Sequence, residues 1–311
     1  MGTGVRHYRS AAERPHVTAE TAILETPAVT KPKTNWLHEA HSIFWLIAAV
    51  LGFHSFIAKP FYIPSESMVP GLRVGDRLVV SKFAYGWSFV SPTVPNPAAI
   101  FKSLVLRQSV PSWSVQFTPS KGRLFGSLPE RGDIVIVTPP GKSEDYIKRV
   151  IGLPGDRLEV RGGVVILNGK PVKRVDNGYL RIPVDANQPC ADSEYPGALT
   201  RDSMGNSWCQ LPVFRETLPN GRSYDTIDLG YDWRVDDFAP ITIPANHVFL
   251  MGDNRDRSAD SRVPLENRGL GGAIPYENLG GRAEFITFSF DGNWGLRGDR
   301  SGTSLHAPVG P

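Results

Sequence analysis

The sequence predicts a mainly β protein carried behind one N-terminal apolar helix, and three observations point there. Charged residues are only 21% of the 311 positions while proline and glycine number 27 and 31, which suits short strands joined by turns better than a helical bundle. From Leu72 onward, short apolar runs bounded by Gly, Asp or Pro recur, the usual pattern of buried strands. Before them lies one stretch, Ser42–Ala58, that is apolar on nearly every face.

Residues 1–41 are polar, carry charges of both signs and lack periodicity, so they are expected to be a disordered cytoplasmic tail. As a helix, the stretch that follows spans roughly 25 Å against a hydrocarbon core about 30 Å thick. Trp36 and Leu37 before it and Phe61-Tyr62-Ile63 after it lengthen the apolar body, giving a transmembrane anchor at 42–63. A cleaved signal peptide would need a short basic start and a small-x-small exit, and Ile57-Ala58-Lys59-Pro60 is no such exit. Lys31 and Lys33 precede the span while Lys59, Arg73 and Arg77 follow it, so charge alone does not orient it.

Strands are expected at Leu78–Val80, Ile134–Val137, Val248–Met251 and Glu284–Phe288. A hairpin is expected at Leu158–Arg161 and Val164–Leu167, joined by Gly162-Gly163. Residues 64–169 and 246–290 form the main β domain, with a Pro- and Ser-rich insertion at 86–128. Residues 170–245 form a second, more polar β subdomain, and 291–311 a loose C-terminal tail. The net charge of +3 excludes the concentrated basic surface that a nucleic-acid partner needs. Cys190 and Cys209 have no CxxC pairing, which argues against a metal site. They suit a disulfide if the domain lies outside the cytosol and are two unrelated thiols otherwise. Remote in sequence from the chemistry below, that loop is expected to matter for stability more than for activity.

Chemistry gathers in three segments. Pro64-Ser65-Glu66-Ser67-Met68-Val69-Pro70 is a turn-rich stretch just past the apolar helix. A serine nucleophile there needs a base, and the body of the protein holds only His247 and His306, a poor supply for a Ser-His-Asp triad. Lysine is the alternative. In Tyr146–Ile151, Lys148 shares a strand face with Tyr146 and Val150 while Arg149 faces the other way. Desolvation on such a face lowers an amine's pKa and makes it a usable base, although an edge-strand lysine can also snorkel to water. The third segment, Gly252–Arg262, is a dense polar loop directly after an apolar strand. It lacks EF-hand spacing, and Pro139–Ser143 lacks the first glycine of a P-loop.

Together these segments resemble the bacterial type I signal peptidases, or leader peptidases. The resemblance rests on Pro64-Ser65-Glu66-Ser67-Met68-x-Pro70, Gly75-Asp76 through Lys82, Arg131-Gly132-Asp133, Lys148-Arg149-Val150-x-Gly152-x-Pro154-Gly155-Asp156, and Gly252-Asp253-Asn254-Arg255 through Asp260-Ser261-Arg262. It covers about residues 40–290. It implies a signal-peptidase-like antiparallel catalytic β domain with an inserted β subdomain, Ser67 as nucleophile and Lys148 as general base. Ser65 is then the hydroxyl that joins the Ser67 N–H in the oxyanion hole, and Ser258 the hydroxyl that orients the lysine. Arg149, Asp260 and Arg262 shape the site, with Asp260 as partner of Arg149.

The implied substrates are secretory preproteins cut after a small-x-small motif. The implied location is the bacterial cytoplasmic membrane, single-pass, with the catalytic domain outside. No metal, cofactor, nucleic acid or obligate oligomer is implied. Glu66 stands where Gly is frequent and is expected to point to solvent; Gly71 stands where Thr is common. The rival readings are a specialised Ser/Lys maturation peptidase and an inactive membrane-tethered binding protein.

Overall fold

Helix α1 occupies Trp36–Phe56, and Lys59-Pro60 explains its end. The residue before a proline is pushed out of the α region and the proline donates no backbone hydrogen bond. The chain becomes strand β1, Ala58–Tyr62, an edge strand of the main sheet, where a proline is tolerated. The tail end of the expected 42–63 anchor is therefore sheet. Along α1, Ile43, Leu46, Ile47, Val50 and Phe53 are exposed. Its first turns also carry His38, Glu39 and His41, and among the described residues no helix is long and apolar enough to cross a membrane. The computed structural model describes residues 35–88, 93–95, 114–116, 122–142 and 144–310. Of the tail expected at 1–41, residues 1–34 lie outside them, as does most of the insertion at 86–128, while residues 36–41, expected to be disordered, form the first turns of α1.

The strands follow in order: β2 (Asp76–Ser81), β3 (Thr93–Pro95), β4 (Ser114–Gln116), β5 (Ile134–Val137), β6 (Tyr146–Gly152), β7 (Arg157–Arg161) and β8 (Val164–Leu167). Next come β9 (Lys170–Pro171), β10 (Lys173–Pro183), β11 (Leu199–Arg201), β12 (Ser207–Thr217) and β13 (Ser223–Ile227). After the one-turn helix α2 (Trp233–Asp236) follow β14 (Phe238–Thr242), β15 (His247–Met251), β16 (Ile274–Pro275) and β17 (Leu279–Ser289). The main sheet has seven strands in the order β1-β2-β17-β5-β6-β15-β16, antiparallel throughout. The expected second subdomain divides between two sheets. β10 to β13 form one of their own, while β9 and β14 join the β7–β8 hairpin.

Two apolar clusters fix the stretch that carries Ser67. Met68 and Leu72 pack with Leu78, Ile134, Ile147 and Ile286 in the main-sheet core. Val69 packs instead with Ile182, Tyr195, Leu211 and Cys190 and Cys209, which are joined as a disulfide with Cα atoms 5.6 Å apart. Consecutive side chains thus plug into different cores, and burying each is worth about 1.5–3 kcal/mol.

Residues 291–310, expected as a loose tail, fold back over the main sheet. Gly302 and Thr303 pair with Ile286, and the Leu305 N–H donates to Glu284 O at 2.9 Å. Leu305 is buried in the main-sheet core. Arg300 donates to both carboxylate oxygens of Asp76 at 3.0 and 2.5 Å and to Gly71 O at 2.9 Å.

Candidate active site

The site is assembled from the β1–β2 loop, strand β6 and the loop after β15, all within the unit that begins at Trp45. Because β5 lies on one side of β6 and β15 on the other, neither edge of β6 is open. Lys148 is 4% exposed. Its Nζ lies 2.9 Å from Ser67 Oγ and donates to Ile147 O at 2.9 Å, with the Tyr146 ring centroid 5.7 Å away. Burial strips hydration from the amine and pushes its pKa down to about 8, although Asp260 and Asp253 pull the other way. Ser67 itself is 6% exposed, and Ser65 Oγ is 3.4 Å from Ser67 Oγ. A buried serine hydroxyl beside an amine that titrates near neutrality is an activated nucleophile.

The pair faces a cleft of about 650 Å³, walled by Phe61, Ser65, Tyr146, Ile147 and Ala259 among others, with Lys59, Glu144, Asp145, Arg257 and Arg268 at the lining. Among the described residues no histidine lines it. His247 instead contacts Ala245 O through Nδ1 at 2.8 Å, and His306 sits 2.6 Å from Glu284.

Arg149 does not pair with Asp260. Its Nε and one terminal nitrogen donate to the two oxygens of Asp253, each at 2.7 Å, and the other terminal nitrogen donates to Gly132 O at 2.7 Å. Strand register is the reason. Arg149 lies opposite Met251 across β6–β15, and with a side-chain period of two Asp253 is the next residue on that face. Asp260 lies where the loop has turned back, accepting from Gly252 N–H at 2.9 Å and from Arg262 at 3.0 and 2.9 Å. Arg262 in turn donates to Val235 O and Arg255 O. Arg255 adds a further buried pair with Glu216 at 2.6 and 2.5 Å.

Two other expectations are corrected. Glu66 does not point to solvent; its Oε2 accepts from the Tyr195 hydroxyl at 2.7 Å. Ser258 Oγ is buried but makes no hydrogen bond, so the second partner of Lys148 Nζ is Ile147 O rather than Ser258. The Ser258 hydroxyl is pressed against Gly252, where an added Cβ would fall 2.2 Å from Ser258 Oγ and 2.4 Å from Ser67 O. Only glycine permits that approach.

Sequence reasoning missed Asp253, Glu66, Tyr195 and Arg300. The β6–β15 register carries a signal for Asp253, whereas Tyr195 and Arg300 reach the site through long-range folding that no local pattern announces.

Comparison with known proteins bears on what this arrangement does. The family model described as "Signal peptidase, peptidase S26" matches residues 34–288. A protein named Signal peptidase I from Rickettsia typhi is 31% identical over 272 residues, covering 85% of each chain. The one from Rickettsia akari is 32% identical over 274 residues, again 85% of each. A solved signal peptidase I from Enterococcus faecalis V583 overlaps 50% of this chain and 97% of that one at 20% identity, with a TM-score of 0.26.

Proposed function

This chain belongs to the signal peptidase family, peptidase S26, a family of serine endopeptidases, and from that premise we propose that Ser67 and Lys148 cleave signal peptides from secreted precursors through an acyl-enzyme. The observation that carries the reading is the 2.9 Å approach of Lys148 Nζ to Ser67 Oγ in a site where burial holds the amine down at about 8. In the neutral state the Ser67 hydroxyl donates to the Nζ lone pair. Lys148 takes that proton as Oγ bonds to the scissile carbonyl carbon, then delivers it to the leaving amine as the C–N bond breaks. Water, deprotonated by the same amine, adds to the ester, and Ser67 leaves with the proton. The Ser67 N–H and Ser65 Oγ are the donors to the oxyanion, each worth roughly 3 kcal/mol when aligned. Neither step calls for a metal or cofactor.

The precursor lies extended along the cleft, and its small-x-small residues fill shallow apolar recesses beside Phe61, Ile147 and Ala259. Edge strand β1 supplies Lys59 and Phe61 to that wall. We assign α1, with its exposed Ile43, Leu46 and Val50, to attachment at the bacterial cytoplasmic membrane, with the catalytic unit on the outer side where precursors emerge.

The test is a pH series of cleavage with a signal-bearing precursor and detergent-solubilised protein. A lysine that must be neutral makes kcat/KM climb about tenfold per pH unit at low pH and level off above an apparent pKa near 8. A histidine base would titrate near roughly 6.5 and respond severely to His247→Ala, an outcome that refutes the lysine. The same burial has a linked effect on stability. Folded Lys148 binds its proton less tightly than unfolded lysine, so this group makes stability rise with pH between about 8 and the ordinary value of 10.5.

A further inference from the structure

A ring of hydrogen bonds beside Ser67 contains no residue of the proposed reaction, yet it holds the peptide groups on both sides of the nucleophile. Asn254 Nδ2 donates to Glu66 O at 3.2 Å, and the Asn254 backbone N–H donates to Ser67 O at 3.2 Å. The first contact has a geometrical consequence. The carbonyl of Glu66 and the N–H of Ser67 belong to one planar trans peptide and point in opposite directions. Holding the carbonyl therefore aims the N–H, which is the backbone donor to the oxyanion.

Asn254 is aimed in its turn. Its Nδ2 donates to the Tyr195 hydroxyl oxygen at 3.0 Å, and that hydroxyl donates to the Glu66 carboxylate at 2.7 Å. The ring closes from Glu66 through Tyr195 and Asn254 back to Glu66. Tyr195 is 2% exposed and Asn254 is fully buried, an environment in which successive hydrogen bonds strengthen one another. The ring of Tyr195 is fixed by packing as well as by its hydroxyl. It packs with Val69, Ile182 and the Cys190–Cys209 disulfide, and Arg257 covers it at 5.6 Å while donating to Ser193 O and Glu194 O.

Building on the Ser67–Lys148 reading, we propose that Tyr195 is a positioning residue: its hydroxyl, delivered by the disulfide-closed loop, sets the orientation of the Ser67 N–H through Asn254 and Glu66. The loop at 190–209 is remote in sequence from Ser67, yet its Tyr195 hydroxyl reaches the Glu66 carboxylate beside it, so on this reading the loop adds a role in activity to the one expected in stability. An oxyanion donor contributes only when it is aligned before the charge appears, so a loosened peptide at 66–67 slows the chemical step without weakening substrate binding.

Tyr195→Phe keeps the ring and removes only the hydroxyl. Measured on a signal-bearing peptide, it is expected to lower kcat on the order of tenfold with KM unchanged. The melting temperature should fall by a few degrees at most, as for a single lost buried hydrogen bond, and the apparent pKa of the pH profile should stay at its original value, because the lysine is not touched. Glu66→Ala, made outside the core, is expected to lose a similar factor, and Glu66→Gln, whose amide oxygen still accepts, much less. The double variant Tyr195→Phe with Glu66→Ala should be no slower than the worse single one, as for groups acting as a unit. A kcat within twofold of the parent in both Tyr195→Phe and Glu66→Ala overturns the proposal, as does a loss confined to KM or multiplicative losses in the double variant. Ser67→Ala in parallel separates the two readings. Cleavage that survives it refutes the Ser67–Lys148 mechanism, whereas an inactive Ser67→Ala beside a fully active Tyr195→Phe refutes only the role of Tyr195.

Discussion

Ser67→Ala and Lys148→Ala are each expected to abolish precursor cleavage, and the double variant to be no worse than either. The two side chains meet at 2.9 Å and in the proposed reaction share one proton transfer, so removing either end removes the same step, and losses of residues that act as a unit do not add. The fall in kcat should be on the order of 10⁴ or more. Lys148→Arg makes the test sharper, because a guanidinium keeps the positive charge and cannot accept the proton at accessible pH. It should be as inactive as Lys148→Ala. Near-normal cleavage by either lysine variant would sink the mechanism.

The largest effect on stability is expected at Asp253. Arg149 is 4% exposed, its guanidinium carbon lies 4.2 Å from the Tyr224 ring centroid, and Asp253 supplies its bidentate partner. Asp253→Ala leaves a buried cation beside Lys148 with no counter-charge. Breaking a pair of this kind costs about 3–5 kcal/mol, which lowers the melting temperature by roughly 6–20 °C in a domain of this size. Replacing both partners, as in Arg149→Met with Asp253→Leu, removes the stranded charge and should melt above Asp253→Ala alone. Denaturant unfolding of the three variants decides it. A double variant less stable than Asp253→Ala would mean that the two residues are not coupled as the geometry has them.

What could be read in advance follows from how local each signal is. The hairpin over β7 and β8 was legible because Gly162-Gly163, both at positive φ, is flanked by alternating apolar residues. Strands β2, β5, β15 and β17 were legible as apolar runs with clear stops. Ser67 and Lys148 were singled out by the five boxes that carry the family resemblance; taken alone, a loop serine and a strand lysine are ordinary, and the scarcity of histidine only left lysine as the available base. Partner assignments were not legible in the same way. Asp253 and Asp260 both lie in the loop after β15, and only the register of β15 on β6 selects the first for Arg149. Glu66 looked solvated because its partner, Tyr195, lies 129 positions away. Helix α1 starts earlier and ends earlier than the apolar stretch suggested because Pro60 and the pairing of Ala58–Tyr62 with β2 prevailed over hydropathy.

The returning segment at 291–310 imposes an order on how the enzyme comes into being. Asp76 has no exposed surface, and the guanidinium that neutralises it belongs to Arg300, 224 positions later. The same arginine grips Gly71 O, in the loop that presents Ser67. A nascent chain possesses every group of the proposed reaction once residue 262 has been made, but until residue 300 emerges Asp76 lacks its guanidinium partner, and a carboxylate without a counter-ion is costly to bury. The loop of the nucleophile is among the first parts of the catalytic unit to be synthesised and among the last to be locked. Synthesis from the N-terminus therefore separates possession of the chemical groups from their assembly, and the closing clasp is an ion pair that arrives with a last piece of apolar core, Leu305.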